Sequence, residues 1–210
     1  MALRLSLNPQ SPEPQVLKRA KELLEAGEIV AYPTETFYGL GVRALKEEAL
    51  RKLVCLKGRP EKKPFPLIIP DLSWAERLWE EVSPPLKRLM ECFWPGPLTL
   101  VARAKEGLPP EITGPEGTVA LRISSHPVAQ ALAETLGEPI TATSANPSGA
   151  PPPRLAQEVE AFFGRSLALI LDAGETRGGP ASTLALVEGE KVTILRQGPI
   201  SINELMACLK

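Results

Sequence analysis

The chain has 210 residues, 43% hydrophobic and 23% charged, with a formal net charge of −1. These values are typical of a globular protein and exclude a disordered tail or a protein drawn to nucleic acid or membranes by its bulk charge. No apolar run approaches the roughly 18 residues of a transmembrane segment, and the N-terminal residues lack the pattern of a secretory signal. We therefore expect a cytoplasmic protein with no membrane partner.

The cysteines and the histidine limit the metal and nucleophile chemistry open to the chain. Cys55, Cys92 and Cys208 lie far apart without Cys-x-x-Cys spacing, which predicts reduced thiols and excludes a structural zinc held by cysteines. His126 is the only histidine, and Pro127 after it is typical of the first position of a helix. We therefore interpret His126 as a loop residue beside a helix cap rather than as a catalytic base.

Hydrophobic periodicity and turn residues predict helices and strands that alternate along the chain. In order, the predicted elements are a helix at 16–24, a strand at 28–32, a helix at 46–56, a strand at 67–69, helices at 72–82 and 85–93, strands at 98–103 and 119–124, a helix at 127–136, a strand at 139–143, a helix at 154–163, a strand at 167–171, hairpin strands at 183–187 and 191–196, and a helix at 202–209. This alternation predicts the α/β class (α+β in some schemes): one three-layer domain over residues 1–210, with a mixed parallel and antiparallel sheet between helices.

Two polar loops in the first third of the chain adjoin predicted strands, where sheets of this kind usually bind ligands. Loop 33–41 places two threonine hydroxyls and a carboxylate in a turn with two glycines, although an ordinary strand-to-helix turn would look the same. Loop 57–64 contains Lys57 and Arg59, two residues apart, whose side chains point to the same side of an extended segment. Such a pair suits a polyanion such as a triphosphate, and the alternative is a solvated basic loop.

Two further polar loops lie in the second half of the chain. Loop 141–149 is a run of small hydroxyl residues with one asparagine, which suits phosphate oxygens or a purine edge but also an Asx or Ser/Thr turn. Loop 178–183 has two glycines before hydroxyl residues and is paired with Arg196 at the far end of the predicted hairpin. This arrangement indicates an anion-binding surface, and the alternative is a loose hairpin connection.

Standard nucleotide and metal motifs are missing from the sequence. It contains neither a P-loop nor a Gly-x-Gly-x-x-Gly turn between a strand and a helix, so a nucleotide would have to bind in another way. Glu35, Asp71 and Asp172 are the carboxylates best placed for magnesium, but none has a spaced partner. The metal ligands are therefore left unassigned.

Taken together, the polar loops form a specific pattern. The motifs are Pro-Thr-Glu-Thr-Phe-Tyr-Gly-Leu-Gly at 33–41, Lys-x-Arg-Pro at 57–60, Pro-Gly-Pro-Leu-Thr at 95–99, Arg122, Thr-Ser-Ala-Asn-x-Ser-Gly at 143–149, and Ser182-Thr183 with Arg196-x-Gly198. In this order they resemble the YrdC family of threonylcarbamoyl-AMP synthases over residues 14–200. The resemblance implies a single YrdC-like domain with a twisted mixed sheet and helices on both sides.

The resemblance also implies an activity. Members of the family combine L-threonine, bicarbonate and ATP into L-threonylcarbamoyladenylate and pyrophosphate, and the product serves threonylcarbamoyladenosine formation in tRNA. We therefore expect an ATP-binding nucleotidyltransferase that uses Mg²⁺ with ATP. Expected partners are the proteins that transfer the threonylcarbamoyl group to tRNA, and tRNA or double-stranded RNA itself.

The site residues implied by the resemblance fall on the polar loops. The catalytic residues would be Lys57 and Arg59. The nucleotide-binding residues would be Lys57, Arg59, Thr118, Ser144, Asn146, Arg154 and Arg196, and the threonine-binding residues Thr34, Thr36, Arg122, Thr143 and Ser182. Catalysis would then rest on positioning and on charge stabilisation of oxygens, without a covalent intermediate.

Two alternatives stay open, and the first follows from a departure from the family pattern. Many members carry a histidine on the strand after the Lys-x-Arg loop, whereas segment 65–69 here reads Phe-Pro-Leu-Ile-Ile. This segment resembles the YciO-like branch, so the first alternative is a YciO-like paralogue with altered activity. The second is a module that binds double-stranded RNA or tRNA through the cations around Lys57, for which strong salt dependence is expected.

Overall fold

The computed structural model of the chain describes residues 2–58, 63–114 and 116–210. Its strands are β1 (Leu3–Ser6), β2 (Val30–Pro33), β3 (Tyr38–Gly41), β4 (Leu67–Ile68), β5 (Leu98–Arg103), β6 (Thr118–Arg122), β7 (Ile140–Thr141), β8 (Thr143–Ser144), β9 (Leu169–Asp172), β10 (Thr183–Glu188) and β11 (Lys191–Arg196). Its helices are α1 (Pro14–Glu25), α2 (Glu47–Lys57), α3 (Ser73–Leu78), α4 (Pro84–Phe93), α5 (Pro127–Leu136), α6 (Ala156–Phe163) and α7 (Ile202–Cys208). None of the helices within these ranges is long and apolar enough to cross a membrane.

The strands form two hydrogen-bonded ladders. One has the order β1-β9-β2-β3-β8 and the other β11-β10-β5-β6-β4-β7. Parallel pairs such as β10 with β5 lie beside antiparallel pairs such as β10 with β11. The ladders join where the chain leaving β3 meets β7: Thr141 N donates to Val42 O over 3.1 Å, and Ala44 N donates to Pro139 O over 3.0 Å. The mixed sheet and the α/β class are therefore confirmed.

Helices cover both faces of the strands. On one face, α1 and α5 pack with alternate residues of β2, namely Val30 and Tyr32. Ala31, which lies between them, belongs instead to a second core cluster with residues from α2, α3, α4, α6 and α7. This division follows from the geometry of a strand, in which successive side chains point to opposite faces. It also confirms the expectation of helices on both sides of the sheet.

The strands differ from the sequence-based prediction in three places. The strand predicted at 139–143 is divided into β7 and β8, which belong to different ladders. β1 was not predicted, because its residues are mostly exposed and show no apolar alternation; parallel pairing with β9 creates the strand. β3 was predicted as part of a turn, yet it pairs with both β2 and β8, so that the turn is confined to residues 34–37. The pairings of β1 with β9 and of β3 with β8 join distant segments, which local sequence does not show.

The cysteines also differ from the prediction. Cys92 in α4 and Cys208 in α7 form a disulfide with their Cα atoms 6.6 Å apart, so the expectation of reduced thiols is wrong for these two. Cys55 is free and exposed. The physical reason is the packing of α7 against α4, which brings together two residues separated by 116 positions in the sequence.

His126 caps α5, as expected for a residue before Pro127. Its Nδ1 accepts a hydrogen bond of 3.3 Å from Val128 N, and the helix ends at Gly137 with φ 76°. Burial, assisted by the charge of Arg177, lowers the pKa of His126 to about 4. The imidazole is therefore neutral at pH 7, as an accepting nitrogen requires, and its role in the fold is structural.

Candidate active site

A cavity of about 130 Å³ opens beside the ends of β2, β6, β8 and β10. Its lining combines arginine guanidinium groups with many hydroxyl groups, and no acidic side chain of the described residues lines it. It is smaller than the roughly 300 Å³ at which pockets for drug-sized ligands begin, so it suits a molecule of amino-acid size. The predicted site residues that it brings together are Thr34, Thr36, Arg122, Thr143, Ser144, Ser182 and Arg196.

Arg122 is the buried cation of this cavity. It ends β6, it is 6% exposed, and its Nη1 donates to Oε1 of Glu35. The other carboxylate oxygen of Glu35 accepts a hydrogen bond of 2.8 Å from Ser124 Oγ. Burial lowers the pKa of Arg122 to about 10, which still leaves the guanidinium charged at neutral pH. A fixed positive charge in a cavity lined by hydroxyl groups suits a small carboxylate.

A second cation, Arg196, stands at the exposed mouth of the cavity. Its guanidinium donates to Ser182 O from Nε (3.2 Å) and Nη2 (2.9 Å), and Nη2 also lies 3.2 Å from Ser182 Oγ. Ser182 Oγ is in turn 2.8 Å from Thr99 Oγ1. Arg196 and Ser182 come from opposite ends of the hairpin formed by β10 and β11, and antiparallel pairing brings those ends together. The prediction that Arg196 lies beside loop 178–183 is therefore confirmed.

The turn between β2 and β3 is built around Thr34. Its Oγ1 donates to Phe37 O over 2.7 Å and accepts from the backbone N–H groups of Thr36 and Phe37 at 3.3 Å. The two threonine hydroxyls are also 3.3 Å apart. This is the Ser/Thr turn that hydroxyl residues favour, and it holds both hydroxyls at the cavity.

Two buried polar atoms beside the cavity have no hydrogen-bond partner within the described residues. They are Oγ1 of Thr143, a residue 4% exposed, and Oδ1 of Asn146, a residue 8% exposed. The amide nitrogen of Asn146, in contrast, donates to Pro147 O and Ala150 O. Since buried polar groups in native proteins are almost always paired, these two atoms point to a ligand that supplies the missing partners.

Lys57 acts on the loop that carries these atoms. It ends α2, it is 5% exposed, and its Nζ donates to Ser144 O (2.8 Å) and Asn146 O (2.5 Å). Ser148 Oγ donates back to the carbonyl of Lys57 over 3.2 Å. These bonds hold the loop after β8 in place. Arg59, predicted to act with Lys57, lies outside the described residues.

The remaining predicted nucleotide residues lie outside the cavity lining. Thr118 begins β6 and Arg122 ends it, so a ligand in contact with both would have to extend along the whole strand. The exposed Arg154 donates from Nε to Thr176 O over 3.2 Å and pairs through Nη2 with Glu175 over 3.0 Å. These contacts hold the loop that leads to loop 178–183. The roles of Thr118 and Arg154 in nucleotide binding stay predictions.

The described residues do not form a metal site of their own. They contain no group of three histidine, cysteine, aspartate or glutamate side chains able to hold an ion. Of the carboxylates suggested by the sequence, Glu35 is engaged by Arg122 and Ser124, and Asp172 by Arg4. Asp71 accepts from Ser73 N. Each of these three carboxylates is therefore already engaged by a protein group.

Three residues at or beside the cavity carry contacts that the sequence did not indicate. Thr99 lines the cavity, whereas Glu35 and Ser124 lie behind Arg122 and outside the lining. A charged residue such as Arg122 at the end of an apolar strand requires a counter-charge, so the sequence indicated that an acidic partner exists. The sequence could not show that Glu35, 87 positions away, provides it.

Comparison with known sequences identifies the relatives of this chain. The profile of the Sua5, YciO and YrdC family, described as "Telomere recombination", matches residues 22–198. The threonylcarbamoyl-AMP synthase of Pyrococcus abyssi is 40% identical over 190 residues, covering 90% of this chain and 56% of the relative. That of Bacillus subtilis is 39% identical over 198 residues, covering 94% and 57%. The chain thus spans between half and two thirds of the length of these two relatives. That of Photobacterium profundum is 36% identical over 184 residues, covering 87% of this chain and 98% of the relative.

Solved structures agree with the sequence comparison. P. abyssi Sua5 in complex with L-threonine superposes with a TM-score of 0.91 at 36% identity, covering 100% of this chain and 61% of that one. E. coli YciO superposes with a TM-score of 0.88 at 25% identity, covering 98% and 100%. The family profile covers residues 22–198, which is most of the chain. The chain belongs to the Sua5/YciO/YrdC family.

Proposed function

We propose that the chain synthesises L-threonylcarbamoyladenylate from L-threonine, bicarbonate and ATP, with release of pyrophosphate. The observation that carries this proposal is the buried Arg122 in a small cavity lined by hydroxyl groups. Relatives at 36–40% identity are threonylcarbamoyl-AMP synthases, and one of them, from P. profundum, is covered over 98% of its length. The P. abyssi relative has been solved with L-threonine.

The cavity provides groups for each part of threonine. Arg122 binds the carboxylate through a charge-assisted hydrogen bond. The hydroxyls of Thr34, Thr36, Thr143 and Ser182 surround the space beside it and bind the amine and the side-chain hydroxyl. Among these hydroxyls, Thr143 Oγ1 is buried without a hydrogen-bond partner. A ligand atom that bonds to it would remove the free-energy cost of leaving it unpaired.

ATP binds at the mouth of the cavity with its Mg²⁺. Arg196 lies at this mouth, and Ser144 follows Thr143 on the loop that Lys57 holds. The unpartnered Oδ1 of Asn146 is available to an amide or amino donor of the nucleotide. Arg59, Thr118 and Arg154 complete the proposed nucleotide contacts.

The chemistry needs no nucleophile from the protein. Bicarbonate takes up a proton and loses water to give carbon dioxide. The neutral threonine amine attacks the carbon of carbon dioxide and releases its proton to solvent, which gives a carbamate. A carbamate oxygen then attacks the α-phosphorus of ATP, the bond to the β-phosphate oxygen breaks, and pyrophosphate leaves. The enzyme contributes the alignment of the two substrates and positive charge near the reacting phosphate oxygens, from Lys57, Arg59 and Arg196. Magnesium bound to ATP adds to this charge.

The product is proposed to pass, in the cytoplasm, to proteins that transfer the threonylcarbamoyl group to tRNA. Direct binding of tRNA or double-stranded RNA through the cations around Lys57 receives no support from the described residues. Lys57 itself is buried, and its exposed neighbours Arg51 and Lys52 pair with Glu47 and Glu28 at 2.7 and 2.9 Å. Of the remaining cations near Lys57, Arg59 and Lys62 lie outside the described residues.

A YciO-like paralogue remains the second candidate. Phe65 is 1% exposed and Pro66 lines the cavity, so an apolar segment stands on the strand side where many relatives carry a histidine. The match to E. coli YciO over 98% of this chain supports the same alternative. Such a paralogue would retain the cavity but would not release pyrophosphate in response to threonine.

The test is pyrophosphate release from ATP with Mg²⁺ and bicarbonate, with and without L-threonine, for the wild type and Arg122→Gln. We expect release that depends on threonine and falls at least about 100-fold in the variant, since a charge-assisted contact is lost and the reactants are misplaced. The control is Arg103→Gln, because Arg103 has a side chain 73% exposed and outside the cavity lining. Wild-type enzyme that binds threonine but releases no pyrophosphate would support the paralogue.

A further inference from the structure

Glu35 contacts the cavity residue Arg122 but does not itself line the cavity. The lining includes its neighbours Thr34 and Thr36, and Arg122 itself, but not Glu35. The Glu35 side chain is only 13% exposed and that of Arg122 only 8%, so water screens their contact weakly. The Glu35 carboxylate therefore contacts the guanidinium without taking up space in the cavity.

Glu35 is itself held in place. Its Oε2 accepts from Ser124 Oγ over 2.8 Å, and Ser124 Oγ accepts from His126 N over 3.2 Å. Ser124 is 1% exposed, and His126 is the N-cap of α5. A chain of hydrogen bonds thus runs from the start of α5 through Ser124 to Glu35 and on to Arg122.

One guanidinium nitrogen is used by this contact and the others are not. Within the described residues, Arg122 donates to a side chain only through Nη1, to Glu35. A guanidinium has five N–H donors, so the remaining ones are available to a ligand in the cavity. An arginine side chain has considerable rotamer freedom, which an anion fixed behind it removes before the ligand arrives.

Resting on the function proposed above, we propose that Glu35 is a positioning residue: it holds Arg122 so that the free donors of the guanidinium face the carboxylate of the amino-acid substrate. The alternative, that Glu35 competes with this carboxylate, requires Glu35 to stand in the cavity, and it does not line it. Affinity for the substrate carboxylate therefore depends on a residue that never touches the substrate.

The test compares three ligands by titration calorimetry at pH 7.5. L-threonine carries both a carboxylate and an amine, 3-hydroxybutyrate lacks the amine, and L-threoninol lacks the carboxylate. In Glu35→Gln we expect the dissociation constants of the first two to rise about tenfold, as for the loss of one well-oriented charged contact. That of L-threoninol should stay unchanged, because it does not use Arg122. Glu35→Asp, which keeps the charge, should recover part of the loss.

Controls separate positioning from a general effect on the fold. Glu138→Gln removes a carboxylate from an arginine pair elsewhere that is partly exposed, with Arg43 at 2.6 Å, and should alter none of the three affinities. Because loss of one member of a buried ion pair can destabilise a fold, thermal unfolding of each variant is measured first. Should Glu35→Gln not fold, Ser124→Ala leaves both charges in place and should weaken the two carboxylate ligands about threefold.

Several outcomes would overturn the proposal. Equal loss for all three ligands would show a general packing role, unchanged affinities would show no role, and tighter carboxylate binding in Glu35→Gln would show competition. A wild type that binds none of the three ligands would contradict the proposed function and this inference together. A wild type that binds them, with unchanged affinities in Glu35→Gln, would contradict this inference alone.

Discussion

Thr143→Val should raise the stability of the free protein and lower its affinity for threonine. Oγ1 of Thr143 has no partner in a residue that is 4% exposed, and an unpaired buried hydroxyl costs about 1–3 kcal/mol. Valine keeps the branched shape without the hydroxyl, so we expect the free energy of unfolding to rise by about 1 kcal/mol. With threonine bound, the variant lacks one neutral hydrogen bond worth about 1 kcal/mol, which raises the dissociation constant roughly fivefold.

Thr141→Val is the matched control, two positions away. Thr141 is also fully buried, but its Oγ1 donates to Leu40 O over 3.2 Å and accepts from Val42 N over 3.1 Å. Its replacement leaves a buried N–H without that partner and should lower the free energy of unfolding by about 1–3 kcal/mol. Urea denaturation and threonine titration measure both quantities. If Thr143→Val destabilised the protein as Thr141→Val does, or bound threonine like the wild type, the assignment of Thr143 to the ligand would be refuted.

Three further predictions concern stability. Replacing both Cys92 and Cys208 with serine removes a disulfide between residues 116 positions apart. The unfolded chain then gains conformational entropy, so the free energy of unfolding should fall by up to about 5 kcal/mol. An unchanged midpoint of unfolding in guanidinium chloride would contradict this. Gly41→Ala places a Cβ 2.8 Å from Cε1 of the fully buried Tyr32 and should cost about 1–3 kcal/mol, measured in the same way. His126 has a pKa of about 4 in the folded protein, below its ordinary value near 6.5, so its contribution to stability is complete above pH 6.5 and is lost as pH falls towards 4. At pH 5 we expect the free energy of unfolding to be about 1–2 kcal/mol lower than at pH 7 because of this residue. His126→Asn keeps a capping side chain and should abolish this pH dependence. If the variant showed the same pH profile as the wild type, the assignment to His126 would be refuted.

Much of the fold could be predicted because its signals are local. The apolar spacing of α1, with Leu17, Ala20 and Leu24 buried, and the proline that begins α5 are properties of short segments. The same holds for the hairpin of β10 and β11, whose turn residues follow directly on its strands. β1 was missed because its pairing with β9, more than 160 positions away, leaves no trace in its own mostly exposed side chains.

The candidate site could be predicted as a set of loops, but not as an arrangement. The sequence by itself determined which loops carry hydroxyls and cations, since polar residues at strand ends cannot serve the core. Only the tertiary structure decided that Lys57 is buried beneath the loop after β8, that Arg122 finds its counter-charge in Glu35, and that Cys92 meets Cys208. The reason is physical: periodicity reports which face of an element is apolar, whereas contacts between distant residues depend on how the elements pack.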